Sequence, residues 1–318
     1  MIFQDINNCM KKFIKLMLDG NIKFPLVTRS SIIPIDGSTR YFGEPVVPSR
    51  KNSHVYAYQI LNGLNGTQGL AIYGNYAFRV NTGNSTGTIK GSLTIYDISD
   101  LSNIRKVISL TLPSGQYANH CNSCQFAPNR EKGYDFPLLY VSGNYKSTCF
   151  VYKVTLTSVQ LVQTIYWDTE SEMQELNDTH PNIQIGDDGF LWAVSDNYSS
   201  SVSGSGTLDY IYKFNIPPIS TSSVILSKSQ ILDSFSVQRH SGFDKTWQGL
   251  KIYDGKIYFL RGANNANTSG IEVIDIASKK LVSVIPLQMS NDEPEDLEIY
   301  NNRLFIAYNS DTFVLLDF

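Results

Sequence analysis

A motif that returns several times along the chain limits the possible folds more than any other feature. The stretch Gln68-Gly69-Leu70-Ala71-Ile72-Tyr73-Gly74-Asn75-Tyr76-Ala77-Phe78 recurs as Gln248-Gly249-Leu250-Lys251-Ile252-Tyr253-Asp254-Gly255-Lys256-Ile257-Tyr258-Phe259. A third copy runs from Asp296 to Ile306, and a fourth from Asn182 to Trp192. A looser fifth begins at Asn122, with its second strand at Leu138–Ser142 after a longer loop. Each copy is a short alternating strand, a turn of Gly, Asn or Asp, and a second strand, which is the pattern of a β-hairpin. The anchors at 68, 122, 182, 248 and 295 lie 47 to 66 residues apart. Propeller blades recur at about 40–50 residues, and longer loops account for the excess.

Two more alternating stretches follow most anchors: Ser92–Ile98 and Arg105–Leu112, Thr148–Val154 and Val159–Trp167, Leu208–Phe214 and Gln230–Val237, Ile271–Ile276 and Lys280–Leu287. Four strands per repeat is the blade pattern. The fifth repeat supplies only three, ending at Thr312–Asp317, while His54–Leu61 alternates ahead of the first hairpin. Pairing these two segments would close the ring and remove the exposed edge of a terminal blade. The expectation is an all-β, five-bladed β-propeller over residues 54–318, closed by the strand at 54–61.

Residues 1–53 fall outside the repeats. Ile2/Phe3, Ile6, Cys9/Met10, Phe13/Ile14 and Met17/Leu18 follow helical spacing and predict an amphipathic helix. Pro25, Pro34, Pro45 and Pro48 keep the following stretch extended. This arm holds eight Lys/Arg against four Asp/Glu, a balance of +4 that leaves −7 for the rest of a chain with net charge −3. Such an arm either packs on its own ring or attaches to a protein assembly partner.

The charge balance argues against a nucleic-acid-binding chain. Charged residues make up 17%, below the ~25% usual for soluble proteins, and Ser, Thr, Asn and Gly carry the polar load instead. No apolar run reaches the ~18 residues of a membrane span. Lys11, Lys12 and Lys15 interrupt the N-terminal apolar run, so no signal peptide is expected, and cytoplasmic synthesis follows.

In a propeller, the starts of the inner strands and the ends of the second strands meet on one face around the axis. That face gathers Gln68, His120, Asn122, His180, Asn182, Gln248, Glu293, Glu295 and Asp296 with Arg79, Asp196, Asn197, Arg261 and Tyr308. Tyr117, Trp167 and Trp247 add aromatic surface for a possible glycan. His120, His180 and Glu295 have the chemistry of a divalent-metal site, which would suit a metal-dependent hydrolase or lyase. No other cofactor is indicated, since there is no phosphate loop, dinucleotide fingerprint or G-x-S-x-G elbow. Glu293 and Glu295 would share a face on a strand, and like charges there raise one pKa. Polar channel residues also arise simply because they satisfy one another. Cys121-Asn122-Ser123-Cys124 is a C-x-x-C at a strand start without a partner motif, which predicts two buried free thiols.

Ser92-Leu93-Thr94-Ile95-Tyr96-Asp97-Ile98-Ser99-Asp100-Leu101-Ser102-Asn103-Ile104 resembles the LVIVD repeat, an apolar strand running into an Asp-Ile-Ser-Asp-Pro-Ser-Asn-Pro turn. Leu101 and Ile104 stand where that repeat has proline, and Ile274-Asp275-Ile276-Ala277 is a fainter echo. The resemblance implies a propeller-like protein of a bacterial surface and transfers no catalytic residue. The functional expectation is a non-enzymatic module that binds a protein partner or glycan on its channel face. Its arm would join it to a larger assembly such as a phage tail or virion.

Overall fold

The computed structural model describes residues 40–41, 57–81, 83, 91–113, 121, 123–143, 148–167, 182–196, 208–244, 246–263, 268–287, 292–301 and 303–317. Backbone contacts divide the chain into Met1–Thr39 and Arg40–Phe318. The helix expected within residues 2–18 lies outside the described residues.

The second unit is all-β and consists of five sheets. Blade 1 is β3 (Leu70–Tyr73), β4 (Tyr76–Asn81), β5 (Ser92–Asp97) and β6 (Arg105–Thr111), in that order from the axis outward. Blade 2 follows with β7 (Ser123–Phe126), β8 (Leu139–Gly143), β9 (Thr148–Val154) and β10 (Val159–Trp167). Blade 3 is β11 (Asn182–Ile185), β12 (Leu191–Asp196), β13 (Leu208–Phe214) and β15 (Asp233–Gln238). Its last connection carries β14 (Ser223–Leu226), which leaves blade 3 and pairs parallel with β10 as a fifth strand of blade 2. Blade 4 is β16 (Trp247–Tyr253), β17 (Lys256–Arg261), β18 (Gly270–Asp275) and β19 (Lys280–Pro286).

Blade 5 comprises β20 (Pro294–Tyr300), β21 (Arg303–Tyr308) and β22 (Ser310–Asp317). Two upstream strands extend it: β2 (Ala57–Gly66) pairs antiparallel with β22, and β1 (Arg40–Tyr41) pairs with β2. The register sets Tyr58 opposite Leu316 and Asn62 opposite Thr312. β2 therefore starts three residues later and ends five residues later than the stretch 54–61 that alternation marks out. A bulge between Asn62 and Gly66 lets pairing run on past the point where alternation stops. β15 likewise starts at Asp233 rather than Gln230, because Lys228–Gln230 closes a 3-10 turn.

Each blade has two apolar faces because strand side chains alternate. Five buried clusters fill the five gaps between successive blades. Phe78, Val80 and Leu93 meet Phe126, Leu139 and Phe150 between blades 1 and 2. Tyr140, Val151 and Trp167 meet Ile183 and Phe214 in the next gap. Val194 and Ile211 meet Leu250 and Phe259 between blades 3 and 4. Leu260 and Ile271 meet Leu297 and Ile306 between blades 4 and 5. Leu64, Phe305 and Phe313 meet Leu70 and Ala77 between blades 5 and 1, completing the circuit. The Phe78 and Phe126 rings meet edge-to-face at 4.8 Å, the geometry aromatic quadrupoles favour.

Candidate functional site

The five inner strands β3, β7, β11, β16 and β20 line the axis, and their polar side chains turn toward one another rather than toward water. Asp296 is the centre of this arrangement and is fully buried. Its Oδ2 accepts the backbone N–H of Leu70 at 2.6 Å and of Cys124 at 3.0 Å, while Oδ1 accepts that of Leu297 at 2.8 Å. One carboxylate thus joins blades 1, 2 and 5. Burial pushes its pKa well up, and the three donors pull against that shift.

Two residues further along β20, Glu298 accepts from the backbone N–H of Ile72 (3.3 Å) and Ile299 (2.8 Å) and pairs with Lys251 of blade 4. Ser123 Oγ donates to the Leu250 carbonyl at 2.9 Å and accepts from Gln184 Nε2 at 2.9 Å, which links blades 2, 3 and 4. Asn182 Nδ2 donates to the Gln248 carbonyl at 3.1 Å. The glycine of the repeated Gln-Gly-Leu follows from this crowding. A Cβ at Gly249 would stand 2.1 Å from Asp296 Oδ1, and one at Gly69 would stand 2.7 Å from Cys124 Cβ. The axis is a packed polar core.

At the end where the inner strands begin, hereafter the upper face, Arg79 is fully buried. Its guanidinium donates to the carbonyls of Gly66 at 2.6 Å and Tyr308 at 2.9 Å, and also to that of Gln68. Burial lowers its pKa to about 10 against the attraction of Glu295 and Asp296. Glu295 is buried beside it, and desolvation followed by repulsion from Glu293 raises its pKa to about 9, so this acid is neutral near pH 7. Glu293 Oε1 accepts from Gln248 Nε2 at 2.7 Å, and the same amide donates to the Gly262 carbonyl at 2.9 Å. A register shift between Pro294 and Asp296 sends Glu295 inward, while Glu293 stays half-exposed.

Arg261 belongs to a second buried cluster between blades 3 and 4. Its Nη2 donates to Asp209 Oδ2 at 2.5 Å and its Nε to Glu272 Oε2 at 2.5 Å. Arg239 Nη2 completes the set on Asp209 Oδ1 at 3.1 Å, and the His240 backbone N–H donates to Glu272 Oε1 at 2.6 Å. Burial works against the charge of Arg261, but Asp209 and Glu272 together raise its pKa. Burial also raises Glu272, with Arg261 opposing.

The structure therefore brings Gln68, Arg79, Glu293, Glu295 and Asp296 together at the axis, with Asn182 and Gln248 beside them. It places Arg261 in the separate cluster with Asp209. Trp247 is 8% exposed and packs near Phe259, and Trp167 is 3% exposed, so neither ring forms part of an upper-face platform. Both follow apolar alternation into an inter-blade gap. His120, Asn122 and His180, with Tyr117 and Asn197, lie outside the described residues. Among the described residues, no group of three or more His, Cys, Asp or Glu is arranged to hold a metal ion. Glu295 stands alone there as a metal candidate. Cys121 and Cys124 are buried free thiols whose pKa values burial raises, as is Cys149.

Asp209, Arg239, Glu272, Lys251 and Glu298 carry the polar interior yet do not stand out in the sequence. The last two share a repeat position with Ala71, Gln125 and Gln184, which is polar in four of the five copies and so marks the axis without singling them out. No helix among the described residues is long and apolar enough to cross a membrane.

No family model matches the chain, and no curated protein matches it in sequence. The LVIVD-like segment at 92–104 thus rests on its own residues. Among solved structures, the hydrazine synthase of Kuenenia stuttgartiensis is similar over 86% of this chain and 71% of its own, at 14% identity and a TM-score of 0.38. Virginiamycin B lyase from Staphylococcus aureus is similar over 83% of this chain and 99% of its own, at 13% identity and a TM-score of 0.39. Likeness at this level carries neither protein's chemistry to this chain.

Proposed function

We propose that the chain is a non-catalytic binding module that recognises a protein partner through the connections of its upper face. The observation that carries this reading is where the connections leave the strands. Segments 82–91, 112–122, 168–181, 197–207, 262–269 and 287–293 all depart from the upper ends of the strands. At the lower ends, the hairpins of blades 1 and 4 turn at 74–75 and 254–255 and that of blade 5 lies between Tyr300 and Arg303, and the longer connections there are 98–104, 127–138 and 215–222. Connections on a rigid scaffold are where binding surfaces are usually built. These upper segments are rich in Ser, Asn, Gly and Thr, with Tyr117 and Tyr198 among them, a composition suited to adaptable polar contacts.

Segment 168–181 contains Asp168, Glu170, Glu172, Glu175 and Asp178 without a Lys or Arg, so a basic patch is the complementary surface. The burial of Trp167 and Trp247 favours a protein over a glycan, because sugar stacking needs an exposed ring face. Residues 1–53, basic against an acidic body, would attach the ring to a larger assembly.

Site-specific photo-crosslinking in cells of the source organism tests the reading. A photoreactive residue at Thr86 or Glu172 should capture one discrete protein, and 0.5 M salt should suppress the Glu172 product. Asn75 and Asp254 on the lower face should capture nothing. Equal capture from both faces, or capture from the lower face alone, would overturn the proposal. Stoichiometric divalent metal in the purified chain, lost on combining His120→Ala with His180→Ala, would establish the hydrolase or lyase reading instead.

A further inference from the structure

We propose that the cleft between β15 and β19, on the outer rim of blades 3 and 4, is a binding site for a small organic carboxylate with an apolar body. This site uses none of the six upper-face segments named above and stands or falls independently of them. The cleft has a volume of about 460 Å³, within the range of small-molecule sites.

The cleft opens between β15 and β19 beside the apolar cluster of blades 3 and 4, which includes Val237 and packs against Leu281. Val237 and Val284 supply buried apolar walls, with half-buried Leu281 between them. One end is closed by Lys279, which reaches across to Asp233 Oδ1 at 2.7 Å and lies over the Phe235 ring. His240 bounds the other end, held by its backbone bond to Glu272 and by its ring packing on Phe243 at 4.7 Å.

Behind these walls lies the buried cluster of Asp209, Arg261 and Glu272, and Arg239 links that cluster to the cleft through its bond to Asp209. Inside the cluster, two arginines balance two carboxylates. The lining contains no Asp or Glu, and its Arg239 is already matched by Asp209. Lys279 is matched by Asp233, whereas Lys280 stands exposed at the rim. An apolar wedge with the exposed Lys280 at its rim suits an anion that can bury a hydrocarbon or aryl body while its charged end stays at the edge.

The test uses the full chain with two probes of the same skeleton, 4-phenylbutyrate and 4-phenylbutanol, followed by ligand-observed NMR and calorimetry. The carboxylate should bind saturably with a Kd on the order of 1 mM. The alcohol should bind at least about fivefold more weakly, the discount expected for losing one charge contact. Lys280→Glu, an exposed change that leaves the core untouched, should remove that difference without altering alcohol binding. Leu281→Trp should fill the wedge and abolish both, and its melting temperature reports whether the fold survives. Equal affinity for the two probes, a carboxylate indifferent to Lys280→Glu, or no saturable binding of either would each overturn the proposal.

Discussion

Asp296 shows how one side chain can be structural and yet look functional. Its three N–H donors come from three blades, so shortening it to alanine would leave Leu70, Cys124 and Leu297 amides buried without their acceptor. At about 1–3 kcal/mol for each unsatisfied group, Asp296→Ala should cost about 3 kcal/mol or more in urea unfolding. A loss below about 1 kcal/mol would show that the bonds contribute little. Glu295 gives a prediction with a pH signature. Its folded pKa, about 9, lies above the ordinary glutamate value of 4.5, so its contribution to stability is complete below about pH 4.5 and declines as pH rises through about 9. Glu295→Gln should therefore gain on the wild type progressively between pH 5 and 9 in melting temperature. A constant difference across that range would contradict the assignment.

At this scale the sequence is only partly legible. Alternation and strand ends are local properties, and they bring Gln68, Glu295 and Asp296 to the axis. Asp209 and Arg261 are 52 residues apart and meet only because two blades are neighbours in space, so no local pattern announces them.

Among the elements, β14 is the piece the repeat does not foretell. It is four residues long and pairs parallel with a strand of the preceding blade, so it leaves no hairpin signature. Gln163 holds it in place. At a bulge in β10, the Gln163 side chain is buried and donates to the carbonyls of Pro218 at 2.9 Å and Thr221 at 2.8 Å. Gln163→Ala should raise hydrogen exchange of the Ser223–Leu226 amides about tenfold, equivalent to roughly 1.4 kcal/mol of local opening, while the inner strands keep their protection. If exchange at Ser223–Leu226 is unchanged, the register of β14 is set by something other than Gln163. Where no fifth strand covers the edge, as at β6 and β19, Arg105, Lys106 and Lys280 stand exposed on the outermost strand, a familiar guard against edge-to-edge association.

At the largest scale, the unit Arg40–Phe318 is a ring of five inter-blade cores enclosing a polar axis. The blade count was readable because each copy of the repeat must bury both faces against a neighbour, which forces similar strands at similar spacing. The filling of the axis was not readable, because the same polar residues would line an open channel or close it. The distinction depends on whether each group finds a partner in another blade: Asp296, Glu298 and Ser123 do, and Asn182 does through its Nδ2 but not its Oδ1. The direct measurement is residue-resolved hydrogen exchange of the Leu70, Cys124 and Leu297 amides in the unmodified chain. A closed axis predicts that these three exchange among the slowest amides in the molecule, through global unfolding alone. Exchange as fast as that of β6 or β19 would mean that water reaches Asp296, and the axis would have to be redrawn as an open channel.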